Sequence, residues 1–313
     1  VFEVLELNAG YQFRNRFVHA VRNVSFKVEQ DDFFGIAGES GCGKTTLVLA
    51  SLGLLKKPGK VMSGRVLVEG LNLLALSNDE LKKVRWKKVS LVTQSSMNSL
   101  NPVMKVKDQM ADVLIRNHGF SKSDAYELVK EKLKLVGITP DRMESYPHQL
   151  SGGMRQRVVI AMALLLSPRV IFMDEPTTAL DVVVQRSILQ QIEELKKKEH
   201  FSIVFITHDI SLLFELATKI AIMYAGEFVE VGEATLVYSR PLHPYTKGLI
   251  EALPSISKDL EKYKSIPGRP PDLTLKIEGC PFRERCSFAF ERCRVEKPEL
   301  RFVNGRWVAC HLY

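Results

Sequence analysis

The chain has 313 residues, 45% of them hydrophobic and 26% charged, an ordinary globular composition that excludes a disordered or fibrous protein. Its longest unbroken apolar run, Val158 to Leu166, is nine residues, against the roughly 20 that a membrane-crossing helix needs. The net charge of +8 is dispersed over small clusters such as Lys82-Lys83, Lys87-Lys88 and Lys196-Lys197-Lys198, which read as solvated faces rather than a nucleic-acid stripe.

No basic, apolar and small-residue leader is recognisable at the N-terminus, which opens on Val1, so a cytoplasmic compartment with reduced or metal-bound cysteines is expected. In chain order, apolar runs bounded by turn residues predict buried strands at Phe33–Ala37, Val89–Thr93, Val170–Met173, Ile203–Ile206 and Ile220–Tyr224. Helical patterns lie between several of them, an alternation that predicts a mostly parallel sheet covered by helices. From about Leu100 to Leu166 the pattern is helical throughout. Ala125, Leu128, Val129, Lys132, Leu133 and Val136 recur at helical spacing there, with Lys132 expected at the edge of the stripe. Beyond Leu253 come Pro254, Pro267, Gly268, Pro270 and Pro271, read as a linker, and then four cysteines in a small loop-rich unit.

Three segments carry the chemistry. Gly38-Glu39-Ser40-Gly41-Cys42-Gly43-Lys44-Thr45 fits G-x-x-x-x-G-K-[ST] and lies between a strand and a helix. Glycines let backbone N–H groups turn inward round phosphate oxygens, and the positive end of the following helix adds to them. Ser40, Gly41, Cys42, Gly43, Lys44, Thr45 and Thr46 are the expected cradle, with Lys44 on the β- and γ-phosphates of ATP and the Thr45 hydroxyl on Mg²⁺. Cys42 fits as a small residue, although a thiol near a helix N-terminus can have a lowered pKa. Val170 to Met173 lead into Asp174, expected to hold Mg²⁺, and Glu175, placed to polarise the attacking water as general base. LSGGMRQR at 150–157 lies between these motifs, and Ser151, Gly152 and Gly153 open a helix whose positive end makes a second anion site.

With these motifs in order, the chain resembles the ATP-binding subunit of an ABC transporter over about residues 1–250. LSGGMRQR is similar to the signature sequence of that family, Gln94 to its Q-loop glutamine, Ala179-Leu180-Asp181 to its D-loop, and His208 to its switch histidine. The resemblance implies a RecA-like P-loop NTPase α/β core with an antiparallel β part and an inserted helical subdomain. The expected divisions are core at 1–95, helical insertion at 96–166, core again at 167–253 and the cysteine-bearing extension at 254–313. It also implies two nucleotides sandwiched in a head-to-tail dimer, so that Ser151, Gly152, Gly153 and Asp181 meet nucleotide on a partner chain. Gln94 would contact Mg²⁺ or γ-phosphate and move the insertion, His208 would orient Glu175, and an aromatic near the N-terminus would stack on adenine. Tyr11 is the first choice for that stacking, over Phe13 and Phe17.

Cys280, Cys286, Cys293 and Cys310 form Cys-x5-Cys-x6-Cys-x16-Cys, and four thiolates in a reducing compartment favour an iron–sulfur cluster or tetrahedral zinc over disulfides. His243-Pro244-Tyr245-Thr246, Ile266-Pro267-Gly268, Gly279-Cys280-Pro281-Phe282 and Val308-Ala309-Cys310-His311 resemble the C-terminal extension of oligopeptide and dipeptide importer ATPases, to which nickel importer ATPases are related. That subfamily implies a [4Fe–4S] cluster, with Zn²⁺ as the alternative, and a peripheral position on the cytoplasmic membrane face. Its implied partners are a second, related ATPase, two transmembrane permeases and, indirectly, an extracellular solute-binding protein, with no nucleic acid. An ABC ATPase acting on ribosomes or nucleic acid is the competing class; tandem cassettes or a long coiled coil would mark it, and neither is present.

Overall fold

The computed structural model describes residues 1–94, 99–177, 180–253 and 266–313. Ala179 of the D-loop, Pro254 and the rest of the linker to residue 265, and the segment 95–98 where the helical insertion was expected to open lie outside the described residues. The chain divides into two compact units. One comprises residues 75–204 with 28–31 and Val1. The other comprises 2–27, 32–74 and 205–313, and the division falls inside the strand Ser202–Ile206.

In the first unit, the strands Val89–Val92 and Val170–Asp174 pair in parallel, Val89 opposite Val170 and Val92 opposite Met173. All five residues of Val170–Asp174 are buried, which is why this strand reads as a continuous apolar run. The helix Asn78–Val84 starts at a capping box, with the Ser77 N–H donating to Glu80 Oε2 at 2.8 Å and the Glu80 N–H donating to Ser77 Oγ at 3.4 Å. Val106–His118 ends on Gly119 at φ 72°, and Lys122–Leu135 begins at the Ser121 cap. The stripe on that helix buries Ala125, Val129 and Leu133 as expected. Lys132 departs from expectation: it is buried, not at an edge, because its ammonium donates to Ser167 Oγ at 3.1 Å and lies 3.8 Å from Glu199. The helix Val182–Glu199 packs through Ile188, Leu189, Ile192 and Leu195, the i, i+1, i+4, i+7 spacing of one helical face.

The second unit holds a four-stranded antiparallel sheet in the order Arg16–Val28, Phe2–Phe13, Gly59–Val68, Leu71–Asn72. Its register runs from Phe2 opposite Val68 to Tyr11 opposite Gly59, shifting on either side of Asn8. Beside it in the same unit, Phe33–Ala37 pairs in parallel with Lys219–Tyr224, which turns back antiparallel into Glu227–Glu233. Glu227–Glu233 then pairs with Arg306–Val308, and that strand with Arg301–Val303. Residues 266–313, the described part of the expected cysteine-bearing extension, share one compact unit with the phosphate loop, and their terminal hairpin adds strands to its sheet. Among the described residues no helix is long and apolar enough to cross a membrane.

Candidate nucleotide site

In the second unit, the chain leaves the fully buried strand Phe33–Ala37 and enters the helix Lys44–Ser51 through a loop with Gly38 at φ 154°, Gly41 at φ 79° and Gly43 at φ 109°. Gly38 and Gly43 also have no room for a side chain. A Cβ on Gly38 would overlap the Met223 carbonyl oxygen, and one on Gly43 the Ala20 carbonyl oxygen. Lys44 is only 8% exposed, and its ammonium donates to the carbonyls of Gly38 at 2.7 Å and Glu39 at 2.9 Å. The ammonium is thus folded back and held by two of the loop's own carbonyl oxygens. Ser40 and Thr45 are exposed while Thr46 is buried, its hydroxyl 3.1 Å from Tyr11 Oη. Tyr11 is thereby tied to the first turn of the loop's helix. Phe17 is instead capped by Lys60 at 5.6 Å, and Phe13 is 52% exposed.

Cys42 corrects the idea of an activated thiol. It is 6% exposed, and burial pushes its pKa up; the nearby Lys44 ammonium opposes this without reversing it. Native Cys42 is therefore expected to resist alkylation at neutral pH and to react only once the chain is denatured, as read by peptide mass spectrometry. Rapid labelling of the folded protein would refute this.

Sequence reasoning missed the residues that hold Glu39. The Glu39 N–H donates to Tyr245 Oη at 2.9 Å, and the Glu39 carboxylate accepts two hydrogen bonds from Arg285, 246 positions later, at 2.7 and 2.8 Å. Tyr245 sits in the helix Pro244–Glu251, whose N-cap His243 accepts the Tyr245 N–H on Nδ1 at 3.0 Å. Burial drives the His243 pKa down to about 3, so the ring is neutral and keeps that acceptor. An unfolded imidazole binds its proton near 6.5; between the two values the unfolded state holds more protons, so this stability is complete above about 6.5 and declines as pH falls toward 3. Glu230, which accepts the N–H groups of Leu242 and His243, has a pKa raised by burial and titrates with the opposite sign. The His243 part is isolated by comparing denaturant midpoints of the native chain and His243→Asn from pH 7 to 4. The variant should lose less stability on acidification, and parallel curves would refute the assignment.

Also in the second unit, His208 is exposed just after Ser202–Ile206, and Asp209 caps the helix Ile210–Leu216 by accepting the Leu212 N–H at 3.1 Å. In the first unit, Asp174 ends its strand buried, and Glu175 follows at φ 49°, a left-handed conformation costing a non-glycine residue about 1–2 kcal/mol. Gln94 Nε2 donates to Glu175 Oε2 at 3.0 Å, so the structure brings these two candidate site residues together. Ser151 is the N-cap of Gly152–Ala163 and accepts the Met154 N–H at 3.3 Å; Gly152 and Gly153 form its first turn. Asp181 caps Val182–Glu199, accepting the Val184 N–H at 2.9 Å. Two helix N-termini of this unit thus present amides beside exposed caps.

The four C-terminal cysteines are all free. Burial pushes Cys280 up to about 11, with the neighbouring Cys293, Cys310 and Cys286 adding to it, and raises Cys286 and Cys310 in the same way. Among the described residues no group of three or more His, Cys, Asp or Glu is arranged to hold a metal ion. The expected [4Fe–4S] cluster, and Zn²⁺ as its alternative, are thus not supported among the described residues.

Residues 21–178 match the family model described as ABC transporter. Over its full length the chain is 43% identical to a dipeptide transport ATP-binding protein of Caldanaerobacter subterraneus, covering 97% of that protein. The chain belongs to the ABC transporter family. Residues 229–293 of this ABC subunit match the model for the C-terminal region of oligopeptide/dipeptide transporters. A dipeptide transport ATP-binding protein of Escherichia coli is 42% identical over 93% of this chain and 90% of its own, and an oligopeptide transport ATP-binding protein of Haemophilus influenzae is 39% identical over 100% and 97%. Among solved structures, a bacterial ABC transporter cassette in a dimeric structure is similar at a TM-score of 0.65 and 28% identity, covering 75% of this chain and 99% of that one. The fold is accordingly the P-loop α/β fold of an ABC cassette, and the chain is an ABC ATPase.

Proposed function

We propose that this subunit hydrolyses ATP to drive uptake of dipeptides or oligopeptides through separate permease chains, acting on the cytoplasmic face of the membrane. The observation that carries the solute class is the match of residues 229–293 to the C-terminal region of oligopeptide/dipeptide transporters, a region beyond the nucleotide motifs. The phosphate loop from Ser40 to Thr46, with the Lys44 ammonium moved from its carbonyl partners to phosphate oxygens, holds the triphosphate, and Tyr11 takes the adenine. Mg²⁺ held by Thr45 and Asp174 would neutralise phosphate charge. Glu175 accepts a proton from the attacking water, and His208 orients it. Gln94, released from Glu175, turns toward the γ-phosphate and carries the helical segment with it.

Ser151, Gly152, Gly153 and Asp181 act in the other direction, on nucleotide held by a second, related ATPase subunit, so that two ATP molecules close the pair and hydrolysis reopens it. Vesicles containing this subunit, its ATPase partner, the two permeases and the solute-binding protein are expected to accumulate labelled peptide only with ATP. ATP-driven nickel accumulation instead would move the solute class, and co-purification with ribosomes or nucleic acid rather than permeases would overturn the transport reading.

A further inference from the structure

The phosphate loop is gripped by a turn from the far end of the chain. Arg285 closes the short helical turn Arg283–Arg285 and is itself 7% exposed. Its guanidinium meets the Glu39 carboxylate end-on, each terminal nitrogen donating to one carboxylate oxygen, the bidentate geometry that makes arginine–carboxylate pairs strong and orientation-specific. The other donors are also used: Nε to the Pro267 carbonyl at 2.7 Å, and one terminal nitrogen to Tyr224 Oη at 3.3 Å. The turn is anchored by Phe282, edge-on to Tyr224 at 5.3 Å and tilted against Tyr245 at 5.4 Å. Tyr245 in turn accepts the Glu39 N–H, so both the backbone and the side chain of Glu39 are fixed by residues outside the loop.

Neither Arg285 nor Glu39 has a part in hydrolysis as argued above, yet the Glu39 carbonyl is one of the two that hold the Lys44 ammonium. We propose that Arg285 is a positioning residue for nucleotide: through Glu39 it holds the phosphate loop in its receptive shape, coupling the C-terminal turn at 282–286 to ATP affinity. This rests on the nucleotide-binding reading of the loop.

The test measures binding of a fluorescent ATP analogue with Mg²⁺ to the full chain, well below the melting temperature of each variant. Arg285→Ala and Glu39→Gln should each weaken affinity about tenfold, and the double variant should be no weaker than the worse single one, the signature of two residues acting as a unit. Arg285→Lys should recover part of the loss, and Arg292→Ala, whose guanidinium pairs with Glu296 at the surface, should bind as the native chain does. If Arg285→Ala does not fold, Glu39→Gln and Tyr245→Phe carry the test. Native affinity in folded Arg285→Ala, or in the two substitutes, would overturn the proposal. Failure of the native chain itself to bind the analogue would instead overturn the nucleotide reading.

Discussion

Glu175→Gln is expected to bind ATP as the native chain does and to lower steady-state hydrolysis by about 10²–10⁴-fold, the usual worth of a positioned general base. The substitution preserves length and shape, so the left-handed turn at φ 49° and the hydrogen-bonding partner at Gln94 remain available. What is lost is the proton acceptor alone. With chemistry blocked and binding intact, the nucleotide-bound pair of ATPase subunits should accumulate. Size-exclusion chromatography with and without ATP, run beside a phosphate-release assay, reads both effects. Near-native turnover in the variant would remove Glu175 from the role of base, and a variant that no longer bound ATP would assign it to binding instead.

Lys44→Ala is expected to act one step earlier, on binding. A hydrogen bond to a charged group contributes about 1.5–3 kcal/mol, so removing the ammonium should weaken ATP affinity roughly ten- to a hundredfold and abolish measurable hydrolysis at moderate ATP. In the structure this ammonium is the partner of the Gly38 and Glu39 carbonyls. The alanine variant leaves those oxygens to water and should cost little folding stability, because the loop is shaped by its surroundings. Isothermal titration with ATP and with ADP separates the contributions: a loss larger for ATP than for ADP places Lys44 on the γ-phosphate. Equal, native-like affinities would refute the assignment.

The parallel strands were legible because burial on both faces makes them unbroken apolar runs; Phe33–Ala37 and Val170–Asp174 are buried at every position. The N-terminal antiparallel strands were not located from pattern. Phe2–Phe13 does alternate, but Glu6 at φ 50° and the register shifts round Asn8 break the period of two in its middle. Ser151 as a helix cap was readable from the S-G-G that opens an apolar helix. The burial of Lys132 was not, since its partners Ser167 and Glu199 come from distant positions. Glu39 illustrates the limit more sharply: its type is free within the motif, and what fixes it is an arginine 246 residues away.

The crowding of Gly38 against the Met223 carbonyl and of Gly43 against the Ala20 carbonyl has a thermodynamic consequence. The two strands mould the cradle when the chain folds, so the entropy of ordering it is lost then and not when ATP arrives. Little backbone remains to be ordered on binding, and the heat-capacity change of ATP association should be that of a small polar contact rather than of a folding loop.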